Sequence, residues 1–190
     1  MNINFEEIFI EHCSPLLAGI KISNLFSIKS ESYSELYKKV YALNKNINKK
    51  DIYVEIIEKK NTFNSFYLIF AYRKTKLEER VNEKLIKAFL ENYGYFNCFT
   101  LEDYLCILTS KLSCSENFPH EIGIFLGYPL NDVKAFIKEK GKNFVACGVW
   151  KVYYNKIHCE KVFSIYKKCK EVYTELYQKG HTLEKLALAS

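Results

Sequence analysis

The sequence contains few of the residues that end secondary structure or form linkers. Among 190 residues there are three prolines and seven glycines, with no stretch rich in serine and glycine. Linkers are commonly rich in these residues, so we expect a single domain over residues 1–190. No apolar run approaches the roughly 18 residues that a membrane helix needs. The N-terminus lacks the basic start and apolar stretch of a secretory signal, which predicts a cytoplasmic protein with no membrane partner.

Arginine is nearly absent. Only Arg73 and Arg80 among the 28 basic residues are arginine, although the formal net charge is +6. The guanidinium fork recognises phosphate and guanine, so its scarcity disfavours nucleic acid as a partner. Abundant lysine, asparagine, isoleucine, tyrosine and phenylalanine fit a bacterial genome of low GC content, and this composition explains the lysines without invoking a function.

The cysteines form no recognisable framework. There are seven, an odd number, and no two have the spacing Cys-x-x-Cys. This pattern argues against a disulfide scaffold or a zinc ribbon and predicts reduced thiols in a cytoplasm. Cys106 and Cys169 occupy apolar positions of predicted helices, so we expect both to be buried. The sequence identifies no cofactor and leaves the oligomeric state open.

Hydrophobic periodicity predicts an α+β fold, with a small, mostly antiparallel sheet of about three strands packed with seven or eight helices. Residues 52–57 and 66–72 are β-branched and aromatic runs that favour two strands joined in a hairpin, and residues 144–154 are predicted to form a third strand. Eight helices are predicted, six that start near Asn4, Pro15, Thr75, Thr100, Pro119 and Pro129 and two over 33–44 and 162–176, and Thr182 would cap a short tail helix. The helix behind Thr75 should bury one stripe from Leu77 to Phe89 that includes Leu85.

The segment His12-Cys13-Ser14-Pro15 is the first candidate site. If Ser14 caps a helix that begins at Pro15, the Cys13 thiol lies beside a helix N-terminus, where partial positive charge lowers a thiol pKa. Cys13 is then a candidate catalytic thiol, and His12 a candidate proton-transfer group. The alternative is a buried structural cysteine, since free cysteine is among the most buried residue types.

The segment from Phe118 to Pro129 is the second candidate site. Pro119 is expected to start a helix whose first turn carries His120 and Glu121. The carboxylate then meets the positive end of the helix dipole, and the imidazole faces a cleft. Both residues are candidate catalytic groups. The alternative for Glu121 is a charge that only stabilises the helix start.

Residues 121–138 also have the spacing of a helix-turn-helix, which gives a second hypothesis for function. The protein would then be a DNA-binding or regulatory protein. The second helix would cover residues 130–138, with Asp132 near its front and no arginine. That composition favours a structural corner over a DNA-reading helix.

The segment Cys147-Gly148-Val149-Trp150-Lys151 is the third candidate site. A glycine inside a strand often marks a bulge or a close approach of two backbones, and Gly148 lies beside a thiol and near the only tryptophan. We take Cys147, Trp150 and Lys151 as candidate ligand-binding residues, although Trp150 also suits a core position.

The three segments together predict a shared cleft for a small molecule. Such a cleft would bind a small ligand or support thiol-dependent chemistry, redox or metal-based, and whether it is catalytic is left open. The spacing of the cysteines and histidines matches no standard zinc site. A metal would therefore require the fold to gather ligands from distant segments.

These segments, with Gly141-Lys142-Asn143 and the closing Gly180-His181-Thr182, resemble an uncharacterised family of cytoplasmic proteins from anaerobic bacteria, the domain of unknown function 3793. The resemblance covers nearly the whole chain. It implies a single bacterial cytoplasmic domain and indicates that the three segments belong to the signature of the family. It transfers no catalytic residue.

Overall fold

The computed structural model describes residues 4–30, 32–58, 66–114 and 118–189. Within these ranges there are nine α-helices, a three-stranded antiparallel sheet and a two-stranded hairpin, which confirms the α+β class. The elements are α1 (Phe5–Leu17), β1 (Ser23–Lys29), α2 (Tyr33–Ile47), β2 (Ile52–Glu58), β3 (Phe66–Arg73), α3 (Lys74–Asn82), α4 (Lys84–Glu91), α5 (Leu101–Cys114), α6 (Ile122–Phe125), α7 (Leu130–Lys138), β4 (Ala146–Cys147), β5 (Lys151–Val152), α8 (Lys156–Gln178) and α9 (Leu183–Leu186).

The three-stranded sheet separates two hydrophobic cores. Strand β3 lies between β1 and β2 and is antiparallel to both. Because successive side chains of a strand point to opposite faces, Ile69 and Ala71 pack with α1, α2 and α9. Phe70 and Tyr72 pack on the other face with the helices from α3 to α7. Helical layers therefore cover both faces of the sheet.

Strand β1 was not among the predicted strands. Its sequence, SNLFSIK, has weak alternation, yet it pairs with β3 along its whole length, from Ser23 opposite Tyr72 to Lys29 opposite Phe66. Pairing with an already formed neighbour overrides a weak local preference for strand structure.

The prediction of a helix that starts at Pro15 is wrong. Helix α1 runs without interruption from Phe5 to Leu17 and contains Pro15 in its last turn. The Ser14 hydroxyl donates a hydrogen bond to the Ile10 carbonyl, one turn back, and does not cap a new helix. A proline this close to the end of a helix removes only one internal hydrogen bond.

The apolar stripe predicted for one helix after Thr75 is divided between two helices, α3 and α4. Extended backbone at Glu83, with φ −56° and ψ 127°, separates α3 from α4. This break changes the rotational phase of the second helix, so Leu85 is 71% exposed and its neighbour Ile86 is buried. A single continuous helix was therefore the wrong expectation.

Residues 144–154 form a tight hairpin and not the single strand that was predicted. Strands β4 and β5 have two residues each and are joined by a turn in which the Gly148 N–H donates to the Trp150 carbonyl at 3.1 Å. Cys147 is the cross-strand partner of Lys151, so the two side chains share one face of the hairpin.

Candidate functional site

Two of the three predicted segments meet at a cavity of about 420 Å³ between the α6–α7 corner and the β4–β5 hairpin. Aromatic rings from Phe118, Tyr128, Phe136 and Trp150 line it. The polar lining residues are His120, Asp132, Cys147 and Lys151. His120 and the three ligand-binding candidates of the hairpin are thus brought to one place.

Close packing of α6 against α7 forms one wall of the cavity. A Cβ atom at Gly123 would lie 2.8 Å from Val133 Cγ2, so only glycine permits this approach. Gly127, with φ +78°, turns the chain between the two helices. The turn places the Tyr128 ring in the wall, where burial raises the pKa of its hydroxyl to about 12.

Asp132 fixes the hairpin against α7. One carboxylate oxygen accepts a hydrogen bond from Trp150 Nε1 at 2.8 Å. The other accepts from the backbone N–H groups of Tyr153 and Tyr154 at 2.9 and 3.0 Å. From the sequence alone, Asp132 is an acid near the start of a helix. Its hydrogen-bond partners lie about 20 residues further along the chain, so no local pattern indicates this role.

The Trp150 ring is held by neighbours on two elements. It stacks on Tyr128 with ring centroids 5.0 Å apart and meets the Phe163 ring of α8 edge-on at 4.5 Å. A Cβ atom at Gly148 would come within 2.3 Å of the same Phe163 ring, so glycine is required there. The prediction for Gly148 was a bulge or a close approach of two backbones inside a strand. The structure places Gly148 in the turn between β4 and β5, and the group that approaches it is the Phe163 side chain.

The three remaining polar groups of the cavity differ in their contacts. Lys151 Nζ donates to the Gly141 carbonyl at 2.8 Å and lies 4.9 Å from the centre of the Phe144 ring. The His120 ring is exposed and meets Phe136 edge-on at 5.1 Å. The Cys147 thiol is exposed.

Glu121 lies outside the cavity. It is buried and forms an ion pair with Lys111 Nζ at 2.6 Å. Residues 119–121 form a turn ahead of α6, so the expected helix start at Pro119 is wrong. Glu121 therefore fastens the turn to α5 and faces no ligand space.

The first predicted segment is also separate from the cavity. Cys13 is 0% exposed inside α1, and burial raises the pKa of its thiol. His12 is exposed and stacks on the Phe26 ring with centroids 4.6 Å apart. These surroundings correspond to the structural alternative for Cys13, because the helix start that would have activated the thiol does not exist.

Of the two helices that the helix-turn-helix hypothesis requires, only α7 has an ordinary length. Helix α6 has four residues and α7 has nine. Asp132 and Val133 are buried, whereas Asn131, Lys134 and Lys138 are exposed. DNA binding by residues 121–138 stays a prediction that the short α6 does not favour.

The ranges 4–30, 32–58, 66–114 and 118–189 contain neither a metal-ligand cluster nor a helix suited to cross a membrane. In those ranges no group of three or more histidine, cysteine, aspartate or glutamate side chains is arranged to hold a metal ion. No helix in the same part of the chain is both long and apolar enough to cross a membrane.

Alkylation by iodoacetamide should rank the cysteines by exposure. Cys106, Cys114 and Cys147 are exposed and should react first, which corrects the expectation that Cys106 is buried. Cys13 should react at least about 100-fold more slowly, because its thiol is buried and its pKa is raised. Peptide mapping by mass spectrometry over time measures the order, and denatured protein provides the control. Equal rates at Cys13 and Cys106 would contradict the burial of Cys13.

Comparison with known proteins identifies the family. No curated protein and no solved structure matches the chain significantly. One protein family, described as "Protein of unknown function (DUF3793)", matches residues 9–187. The match includes the cavity and confirms the resemblance drawn from the sequence segments. The chain therefore belongs to the DUF3793 family.

Proposed function

We propose that the protein binds a small molecule in the cavity between the α6–α7 corner and the β4–β5 hairpin. One observation carries the proposal: two separate segments, residues 118–136 and 147–151, line a cavity of about 420 Å³ with mostly apolar and aromatic walls. Ligand cavities commonly measure about 300–1,000 Å³ and combine apolar walls with a few polar groups. His120, Cys147 and Lys151 supply those polar groups.

The hairpin wall of the cavity is held in place by contacts within the protein itself. Asp132 holds the hairpin through three hydrogen bonds, and Phe163 packs against the turn of the hairpin. Collapse of the hairpin into the cavity would break these contacts. A ligand that covers the exposed aromatic surface would gain roughly 25 cal/mol for each Å² removed from water.

Binding is better supported than catalysis. The Asp132 carboxylate already accepts three hydrogen bonds, and Glu121 is paired with Lys111 away from the cavity. Cys147 is the one thiol that lines the cavity, and no imidazole or carboxylate of the described residues hydrogen-bonds to it. An activated nucleophile needs such a base, so thiol-dependent chemistry has less support than binding.

N-phenylnaphthylamine, a neutral dye that fluoresces in apolar surroundings, tests the proposal. Trp150 is the only tryptophan and lines the cavity, so bound dye should quench its emission by energy transfer. The dye should saturate at one site per chain and slow alkylation of Cys147 without slowing alkylation of Cys106. Cys106 is the matched internal control, because it is exposed on α5. Dye binding that neither saturates nor protects Cys147 would refute the proposed site.

A further inference from the structure

We infer that the ligand of this cavity is a flat aromatic carboxylate whose charge is paired by Lys151. The inference rests on the proposed function and specifies its ligand class. Three features carry it: the aromatic wall, the three hydrogen bonds that already engage the Asp132 carboxylate, and the contacts of the Lys151 amino group.

The aromatic wall favours a flat, aromatic body. The Trp150 indole is fixed by its hydrogen bond to Asp132 and by ring contacts with Tyr128 and Phe163. The Phe136 ring is braced by His120. Rings held by such contacts present a preorganised surface to a ligand. An aromatic pair contributes about 0.5–1.5 kcal/mol beyond the area that it buries.

Of the described residues that line the cavity, Asp132 and Lys151 carry a charge. The two Asp132 oxygens already accept three hydrogen bonds, so a cationic ligand would compete with those donors. Lys151, in contrast, has no carboxylate within salt-bridge distance among the described residues.

The Lys151 amino group is held by one hydrogen bond and keeps N–H donors for a ligand. An ammonium group has three N–H donors, and the Gly141 carbonyl takes one of them. The Phe144 and Phe136 rings lie 4.9 and 5.9 Å away. Apolar rings beside the ammonium reduce its contact with water, which strengthens a pair with a ligand anion.

A carboxylate fits this lining better than a phosphate does. Phosphate sites usually combine several donors, with arginine forks or a series of backbone N–H groups. Among the described residues, the cavity lining contains one lysine, one histidine and no arginine. A single positive charge with one neighbouring imidazole matches a monoanion.

Competition between naphthoate and naphthamide tests the inference. The two molecules share the same flat rings, but only naphthoate is charged. Each is titrated against bound N-phenylnaphthylamine at low salt, and naphthoate should displace the dye at a concentration about tenfold lower. Lys151→Met should abolish this preference, and Lys151→Arg should retain it. Lys142→Met is the matched control, because Lys142 is exposed and does not line the cavity.

The outcomes separate the two proposals. If the dye does not bind, both the site and the ligand class are wrong. If the dye binds but wild-type protein shows no preference for naphthoate, only the ligand class is wrong. If the preference survives in Lys151→Met, Lys151 is not the partner of the carboxylate. Should Lys151→Met fail to fold, the wild-type comparison and Lys151→Arg still decide.

Discussion

Replacing Arg73 with leucine is expected to lower the free energy of unfolding by about 3–5 kcal/mol. The Arg73 side chain is 0% exposed. Its Nε donates to the Leu16 carbonyl at 2.8 Å, and its Nη2 donates to the Leu17 and Leu188 carbonyls at 2.9 Å each. Leucine would remove the charged donor from all three carbonyls, although the Leu16 and Leu17 carbonyls would still accept from the Gly19 and Leu188 N–H groups. The expected loss therefore comes from the missing hydrogen bonds of the guanidinium, since a hydrogen bond to a charged group contributes about 1.5–3 kcal/mol.

The large expected loss follows from the position of Arg73 between distant parts of the chain. It joins the end of α1 to the C-terminal segment, whose Leu183 and Leu186 are buried in the core. Lys50 also donates to the Glu184 and Ala187 carbonyls of that segment. Loss of Arg73 would therefore loosen the docking of the C-terminus as well as α1.

Urea denaturation followed by circular dichroism measures the effect of Arg73→Leu. Lys74→Met is the matched control, since Lys74 is the next residue and its amino group lies at the surface, paired with Glu102 and 6.0 Å from the centre of the Tyr53 ring. That control should change stability by less than about 1 kcal/mol. A loss below about 1 kcal/mol for Arg73→Leu would show that the buried guanidinium does not hold the fold together.

Replacing Lys21 with methionine is expected to stabilise the protein by about 1–2 kcal/mol at pH 7. Lys21 is 8% exposed, and burial lowers the pKa of its amino group from an ordinary 10.5 to about 8. The folded state thus pays to hold a buried charge that the unfolded chain leaves in water. The expected gain is less than the full pKa shift implies, because Lys21 donates a hydrogen bond to Asn24 Oδ1 that methionine cannot replace.

The advantage of Lys21→Met should depend on pH in a defined direction. Between pH 8 and 10.5 the unfolded lysine still binds a proton that the folded one has released, so wild-type protein gains stability as the pH rises. The advantage of the variant is therefore complete below pH 8 and disappears as the pH approaches 10.5. Burial raises the pKa of the Cys13 thiol in both proteins, and the nearby Lys21 charge lowers it in the wild type alone.

Urea titrations at pH 7 and at about pH 9.5 test this dependence. Lys38→Met on the exposed side of α2 is the control, and it should change stability little at either pH. A variant that is less stable than wild type at pH 7 would contradict the expectation. A difference that does not change with pH would show that Lys21 keeps an ordinary pKa.

Local chemistry in the sequence was sufficient to predict several elements. The Thr100 helix start is one example: Asp103 accepts from the Thr100 N–H at 2.8 Å, and the Thr100 hydroxyl accepts from the Asp103 N–H at 3.3 Å. Strands β2 and β3 follow from β-branched and aromatic runs. In these cases the groups that decide the structure are near neighbours in the chain.

Elements that depend on distant partners were predicted less well. Strand β1 exists because β3 pairs with it, and the break at Glu83 lets Ile86 enter the core in place of Leu85. Ser14-Pro15 has the local pattern of a helix start, but α1 continues through both residues to Leu17. These elements depend on tertiary contacts with other segments. The periodicity of one segment does not show which other segments it will contact.

For the candidate site, the sequence by itself determined which residues carry reactive or polar groups beside glycine turns, and His120, Cys147, Trp150 and Lys151 do line one cavity. Only the tertiary structure decided what each candidate faces. It buried Cys13 in α1, paired Glu121 with Lys111, and used Asp132 to fasten Trp150. The reason is physical: a charge or thiol takes its properties from burial and from partners far away in sequence, which exist only once the chain has folded.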